Sequence, residues 1–265
     1  MDLSFSGPLE LPILHIDSQD MEQPQAQPQS QPQSQQQQQQ EDTTLYLICE
    51  NVCSSELKRS DTCLCVYENS IAIDSYGLTK EIYMAYPHGD VIKRRSPLYD
   101  LKRAITSHRD EPGTVKLESP TNANEPTCDL PSIATLITQF SYGRPVEYND
   151  IAKSYIQRSK DRHLVAGLTN DTSENRFVYF KKCLLNLEVV ALSPEQKYRI
   201  SCYAFPLGIG NAYQADEFWL RNYLPLIKNF SEKMVRNEIA CVLVAPAHYK
   251  PTAKELIELS IYRKS

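Results

Sequence analysis

Two glycines one residue apart, Gly208 and Gly210, follow the apolar run "YRISCYAF" in a chain that has only 8 glycines. Pro206, Ile209 and Asn211 fill out the stretch "PLGIGN", and Asp216 and Trp219 stand a few residues beyond it. At a strand-to-helix turn, backbone N–H groups and the helix dipole can together hold a phosphate. The same glycines would also serve a tight turn that only needs room, because glycine reaches backbone angles closed to other residues. A second turn, "QFSYGR", carries Gln139, Phe140, Tyr142, Gly143 and Arg144. Its aromatics would shelter a sugar or a base, or else belong to the core, and Arg144 would grip a phosphate in two-pronged fashion or stay solvated. A third, "IDSYGLTKEI", sets Asp74 three residues before Gly77.

Asp74 and Asp216 are the acidic residues that would orient a water or a ribose hydroxyl. Their plain alternatives are an exposed loop aspartate and a helix cap. His88, in "YPHGD", is the histidine nearest such a turn. A general base needs a group to deprotonate, and no nucleophile stands beside it. Lys93–Arg95 reads as a solvated basic stretch. No G-x-S-x-G, phosphate-loop Gly-Lys or H-E-x-x-H occurs, which argues against a serine hydrolase, a nucleotide triphosphatase and a zinc protease.

The 8 cysteines are spread mostly singly through apolar runs, without a C-x-x-C pair. His88, His108, His163 and His248 complete no zinc spacing, so neither a metal nor a cofactor is expected. Free buried thiols in a reducing compartment are the natural reading, hence an intracellular protein, cytoplasmic and/or nuclear. The chain start lacks a basic segment followed by an apolar one, and no apolar run approaches the ~20 residues of a membrane span. Neither export nor a membrane is therefore expected. Net charge is −5, but residues 1–43 hold seven acids and no lysine or arginine. The rest carries 26 acids against 28 bases, a balance that argues against a nucleic-acid partner.

These turns need strands and helices to hold them. Residues 18–43, with "QPQAQPQSQPQSQQQQQQ", are too polar to offset the entropy of ordering, so 1–43 is expected to be a disordered Gln/Pro-rich tail. The apolar island "LELPILHI" within it has the layout of a docking motif for a protein partner, or of an unstructured start. From Thr44 the texture becomes globular. "TLYLIC", "TCLCVY", "GTVKLES", "SIATLITQF", "YRISCYAF" and "EIACVLVA" read as strands. "GLTKEIYMAY" repeats apolar residues through Leu78, Ile82 and Ala85 and predicts a helix stopped by Pro87. Ser96-Pro97 predicts a second helix over "LYDLKRAIT", and "YNDIAKSYIQRS" a third. Asp171 with Glu174 predicts a capping box before "NRFVYFKKCLLNLEVV". Thr252 with Glu255 predicts a last helix through Tyr262. Alternation of this kind implies a largely parallel sheet with helices on both faces, whose ligands bind at the carboxyl ends of the strands.

In that order the turns resemble a divergent macro domain, the ADP-ribose-binding module. Within the family they are similar to the branch of ADP-ribose-1''-phosphate phosphatases and ADP-ribosyl-glutamate hydrolases, phage and viral members included. Pro206, Gly208, Ile209 and Gly210 match its Pro-x-Gly-Ile-Gly, and Gln139, Phe140, Tyr142, Gly143 and Arg144 match its strand-end turn. Gly77-Leu78-Thr79 echoes its first helix opening. Where the family has a further glycine step this chain reads "NAYQAD", and Glu217 and Phe218 separate an Asp–Trp pair that the family keeps adjacent. The resemblance implies a three-layer α/β/α, macro-domain-like fold over 44–265 with a mostly parallel mixed sheet. It implies ADP-ribose or a related nucleotide-diphosphate metabolite as ligand, held by Gly77, Gln139, Tyr142, Gly143, Gly208, Ile209, Gly210 and Asn211. Hydrolysis of ADP-ribose derivatives would fall to Asp74 and Asp216. The alternative is a macro-like protein-interaction module with an altered pocket.

Overall fold

The computed structural model describes residues 45–49, 51–54, 57–97, 103–120, 129–141, 143–145, 170–196, 199–207, 216–245 and 262–263. Their strands are β1 (Leu45–Cys49), β2 (Thr62–Asn69), β3 (Val115–Glu118), β4 (Ser132–Gln139), β5 (Cys202–Pro206), β6 (Ala240–Ala245) and β7 (Tyr262–Arg263). The α-helices are α1 (Gly77–Ala85), α2 (Ser173–Ala191), α3 (Asp216–Asn222) and α4 (Leu224–Val235). The strands form one sheet in the order β3-β4-β2-β5-β6-β1-β7. Every pairing is parallel except that of β3 with β4.

Strand residues alternate between two cores, which is why these segments read as continuous apolar runs. Cys63 and Cys65 of β2, Tyr203 and Phe205 of β5, and Cys241 and Leu243 of β6 face one core. Phe180, Leu187, Trp219, Ile227 and Phe230 from α2, α3 and α4 close that core. Leu64 and Val66, Ala204, and Val242 and Val244 face the other, under Ile82 and Tyr83 of α1. In β4 all eight residues are buried. The described residues thus form three layers, with a helix layer on each side of the sheet.

Local chemistry sets the ends of the elements. Pro87 opens a 3-10 turn and stops α1 at Ala85. The buried face of α1 is Ile82 and Tyr83, while Leu78 and Ala85 are exposed, so one turn of the expected stripe meets the core and the rest does not. The cap of α2 is Thr172, whose Oγ1 accepts the Asn175 amide at 3.3 Å. Asp171 has another task, described below.

Three expectations are corrected. The helix predicted over 98–106 does not form in its described part: Pro97 bridges Ala104, Arg103 bridges Ala72, and 106–108 is a 3-10 turn. Those bridges take the backbone groups that a helix would have used, as in the Ala104 amide donating to the Ile71 carbonyl at 2.6 Å. Tyr262 lies in β7 and pairs with Tyr46, so the last helix does not run through it. Arg95 is buried, held by an acid and two carbonyls, and only its neighbours Lys93 and Arg94 are solvated. The tail 1–43 and the helix expected over 148–159 lie outside the described residues.

Among the described residues no helix is long and apolar enough to cross a membrane. Cys63, Cys65, Cys183 and Cys241 are buried free thiols, as expected.

Candidate functional site

Connections leaving the sheet change face at β2. The chain runs from β2 into α1, on one face, and from β5 into α3 and α4, on the other. On the far side of β2 its neighbour is β4, against which α2 packs on the same face as α3 and α4. Where neighbouring strands send their connections to opposite faces, a crevice opens outside their carboxyl ends, and open α/β sheets bind ligands there. The carboxyl ends of β4, β2 and β5 are therefore neighbours on one rim.

The loop after β2 is built around Asn69 and Arg95. Asn69 Oδ1 accepts the amides of Ile71 at 3.1 Å and Ala72 at 2.6 Å, folding the chain back on itself. Arg95 donates from Nη1 to the Ala72 carbonyl at 2.6 Å and from Nη2 to the Asn69 carbonyl at 2.7 Å. Its Nε and Nη2 also reach Asp110 Oδ2, at 3.0 and 2.5 Å, and Lys116 pairs with the other oxygen. Ser70 stitches this loop to β4, its amide reaching the carbonyls of Gln139 at 3.0 Å and Phe140 at 3.2 Å.

The loop after β4 wraps a second buried pair, Asp171 and Arg176. Asp171 accepts the amides of Phe140 at 2.8 Å and Ser141 at 3.1 Å. Arg176 donates to the carbonyls of Gly143 at 2.8 Å, Ser141 at 3.2 Å and Arg144 at 3.3 Å. Burial lifts the Asp171 carboxyl above its ordinary range, against the pull of Arg176 and both amides. A guanidinium and a carboxylate taken from water are costly unless their remaining donors and acceptors are used. Here a turn's carbonyls and amides use most of them, so the pair fixes the turn. Sequence reading missed both arginines, because nothing in "KRRSP" or "SENRF" separates a buried guanidinium from a solvated one.

Two of the proposed ligand glycines stand on this rim in left-handed backbone. Gly77 has φ +54° and Gly143 has φ +83°, and among the described residues a Cβ built on either would meet nothing within 4 Å. Both face open space, so conformation and not crowding requires glycine there. Gln139 is buried and joins the two loops through its carbonyl; among the described residues its Oε1 has no hydrogen-bond partner. Asp74 is exposed in the bend before α1, and Asp216 is the first residue of α3. Phe140 is core. His88 bonds the Pro131 carbonyl through Nε2 at 3.0 Å, a structural contact. Tyr142, Gly208, Ile209, Gly210 and Asn211 lie outside the described residues. Their flank is fixed: the Pro206 carbonyl accepts Tyr67 OH at 3.1 Å, and the Leu207 amide bonds the Val244 carbonyl at 2.7 Å. Among the described residues no three His, Cys, Asp or Glu side chains gather as a metal site.

The fold and the rim define a class: a mostly parallel α/β sheet covered on both faces, with a switch point at an interior strand, β2. No family model matches the chain, and no curated protein is similar to it. A solved structure titled "Alphavirus P23pro-zbd" is similar over 81% of this chain and 22% of that one, at 10% identity and a TM-score of 0.42. This chain thus spans about a fifth of that structure's length, and the likeness is too slight to bear on function.

Proposed function

We propose that the chain binds an anionic nucleotide ligand of the ADP-ribose type on the rim at the carboxyl ends of β4, β2 and β5. The observation that carries this reading is the change of face at β2, between loops that two buried arginines hold in place. Loops already held in place bind without the cost of ordering them. Open space beside Gly77 and Gly143 lets a ligand approach backbone there. In this scheme the Gly208–Asn211 stretch supplies amides for the diphosphate, Gly143 approaches from the β4 side, and Tyr142 shelters the distal ribose. If the chain also hydrolyses ADP-ribose derivatives, Asp74 and Asp216 would position the attacking water.

Titration calorimetry of the full chain with ADP-ribose, and separately with adenosine and pyrophosphate, tests the reading. Binding of ADP-ribose that exceeds either fragment, and that Gly210→Val abolishes without lowering the melting temperature, is the expected result. No heat at millimolar ADP-ribose would overturn it.

A further inference from the structure

Glu68 is the last residue but one of β2 and is 4% exposed. Its Oε1 accepts from the Asn69 amide at 2.8 Å and from Asn69 Nδ2 at 2.5 Å. Asn69 is also the residue whose Oδ1 folds the rim loop. The charged and titratable groups around Glu68 are Arg95, Asp90, Asp110 and, from α1, Tyr83, whose OH meets Thr135 of β4 at 3.0 Å. Lys93 and Lys116 are engaged by Asp90 and Asp110. Arg95 spends its donors on Asp110 and on two carbonyls. Among the described residues no cation pairs with Glu68. A buried carboxyl without a cation keeps its proton, and losing that proton favours any opening that lets water in.

We infer that ionisation of Glu68 gates the loop after β2, and with it the ligand rim: the loop is closed while Glu68 holds its proton and loosened when the proton leaves. This rests on reading the rim as a ligand site. Asn69 links the two, donating to Glu68 from its amide and Nδ2 while its Oδ1 carries the loop's fold; hydration of the ionised carboxyl drives the opening, against these two contacts. Burial pushes the Glu68 carboxyl up from 4.5 to about 7, with Asp90 and Asp110 adding to the rise and Arg95 and the Asn69 amide opposing it. An opened loop hydrates the carboxyl, so opening gains between those two values and not above them.

Amide hydrogen exchange of the full chain tests the gate, corrected for the intrinsic pH dependence of exchange. Protection of the Ile71 and Ala72 amides should fall about tenfold per pH unit between pH 5 and 7 and level off above. Glu68→Gln, which keeps the acceptor for Asn69, should be flat over the same range. The amides of β4 should stay better protected than the loop at every pH, marking the opening as local. Carbon NMR of the Glu68 carboxyl reads the same titration in the unaltered chain. Loop protection independent of pH, or falling equally in Glu68→Gln, would overturn the gate. ADP-ribose added at pH 7.5 should restore protection. A loop that opens with pH but ignores ADP-ribose would leave the gate standing and remove the ligand reading.

Discussion

Gly77, Gly143 and Gly89 are glycine for different reasons, and the difference can be measured. At φ +54° and +83°, Gly77 and Gly143 face open space, so alanine meets only backbone strain there. Each substitution to alanine should cost about 1 kcal/mol. A Cβ at Gly89 would stand 2.4 Å from Ile133 Cγ1, inside the core of β4. Gly89→Ala should therefore cost more, about 1–3 kcal/mol, because the side chain it meets is packed. Thermal melts of the three variants check this ranking; equal losses would mean that crowding is not what requires Gly89. The buried arginines make a stronger demand. Arg176→Met leaves Asp171 buried without its cation and should cost about 3–5 kcal/mol in a denaturant titration. A loss below 1 kcal/mol would mean that Asp171 simply takes a proton and the turn keeps its shape without the pair.

At the scale of elements, the strands were readable because both sheet faces are covered, so burial on each side writes an unbroken apolar run. "SIATLITQF" has no polar face, and β4 has none to show. The absence of a helix in the described part of 98–106 was not readable. Ser96-Pro97 is a fair helix opening, but bridges from Pro97 to Ala104 and from the distant Ala72 to Arg103 claim the backbone, and the local sequence carries no sign of them. The same limit hid the site's framework. Asp171 has a capping residue's sequence context, yet Thr172 caps α2 and Asp171 serves the loop after β4. This division can be tested. Thr172→Ala should lower stability by about 1 kcal/mol, the ordinary worth of a cap. Asp171→Asn should leave the helicity of α2 intact and raise amide exchange at Phe140 and Ser141. Loss of helicity in Asp171→Asn would return the cap to Asp171.

For the whole molecule, charge links stability to pH through Glu68. Its folded value lies above its unfolded one, so its contribution is fully present below pH 4.5 and is lost as pH rises through about 7. For one group that amounts to at most about 3 kcal/mol. Asp61, held low first by Ser201 Oγ, works the other way, its contribution being lost as pH falls through its folded value. Melting temperature should therefore decline from pH 5.5 to 7.5 in the wild type and change less in Glu68→Gln. The proposed ligand rim lies where the chain changes face, at the carboxyl ends of β4, β2 and β5. Mapping amide chemical shifts of the full chain with and without saturating ADP-ribose tests that place most directly. Shifts are expected in the loops at 70–77 and 143–145 and at Leu207, with none at Asp61 or Ser201, where β2 and β5 begin. Shifts confined to that opposite end, or to the outer surface of α2, would contradict it.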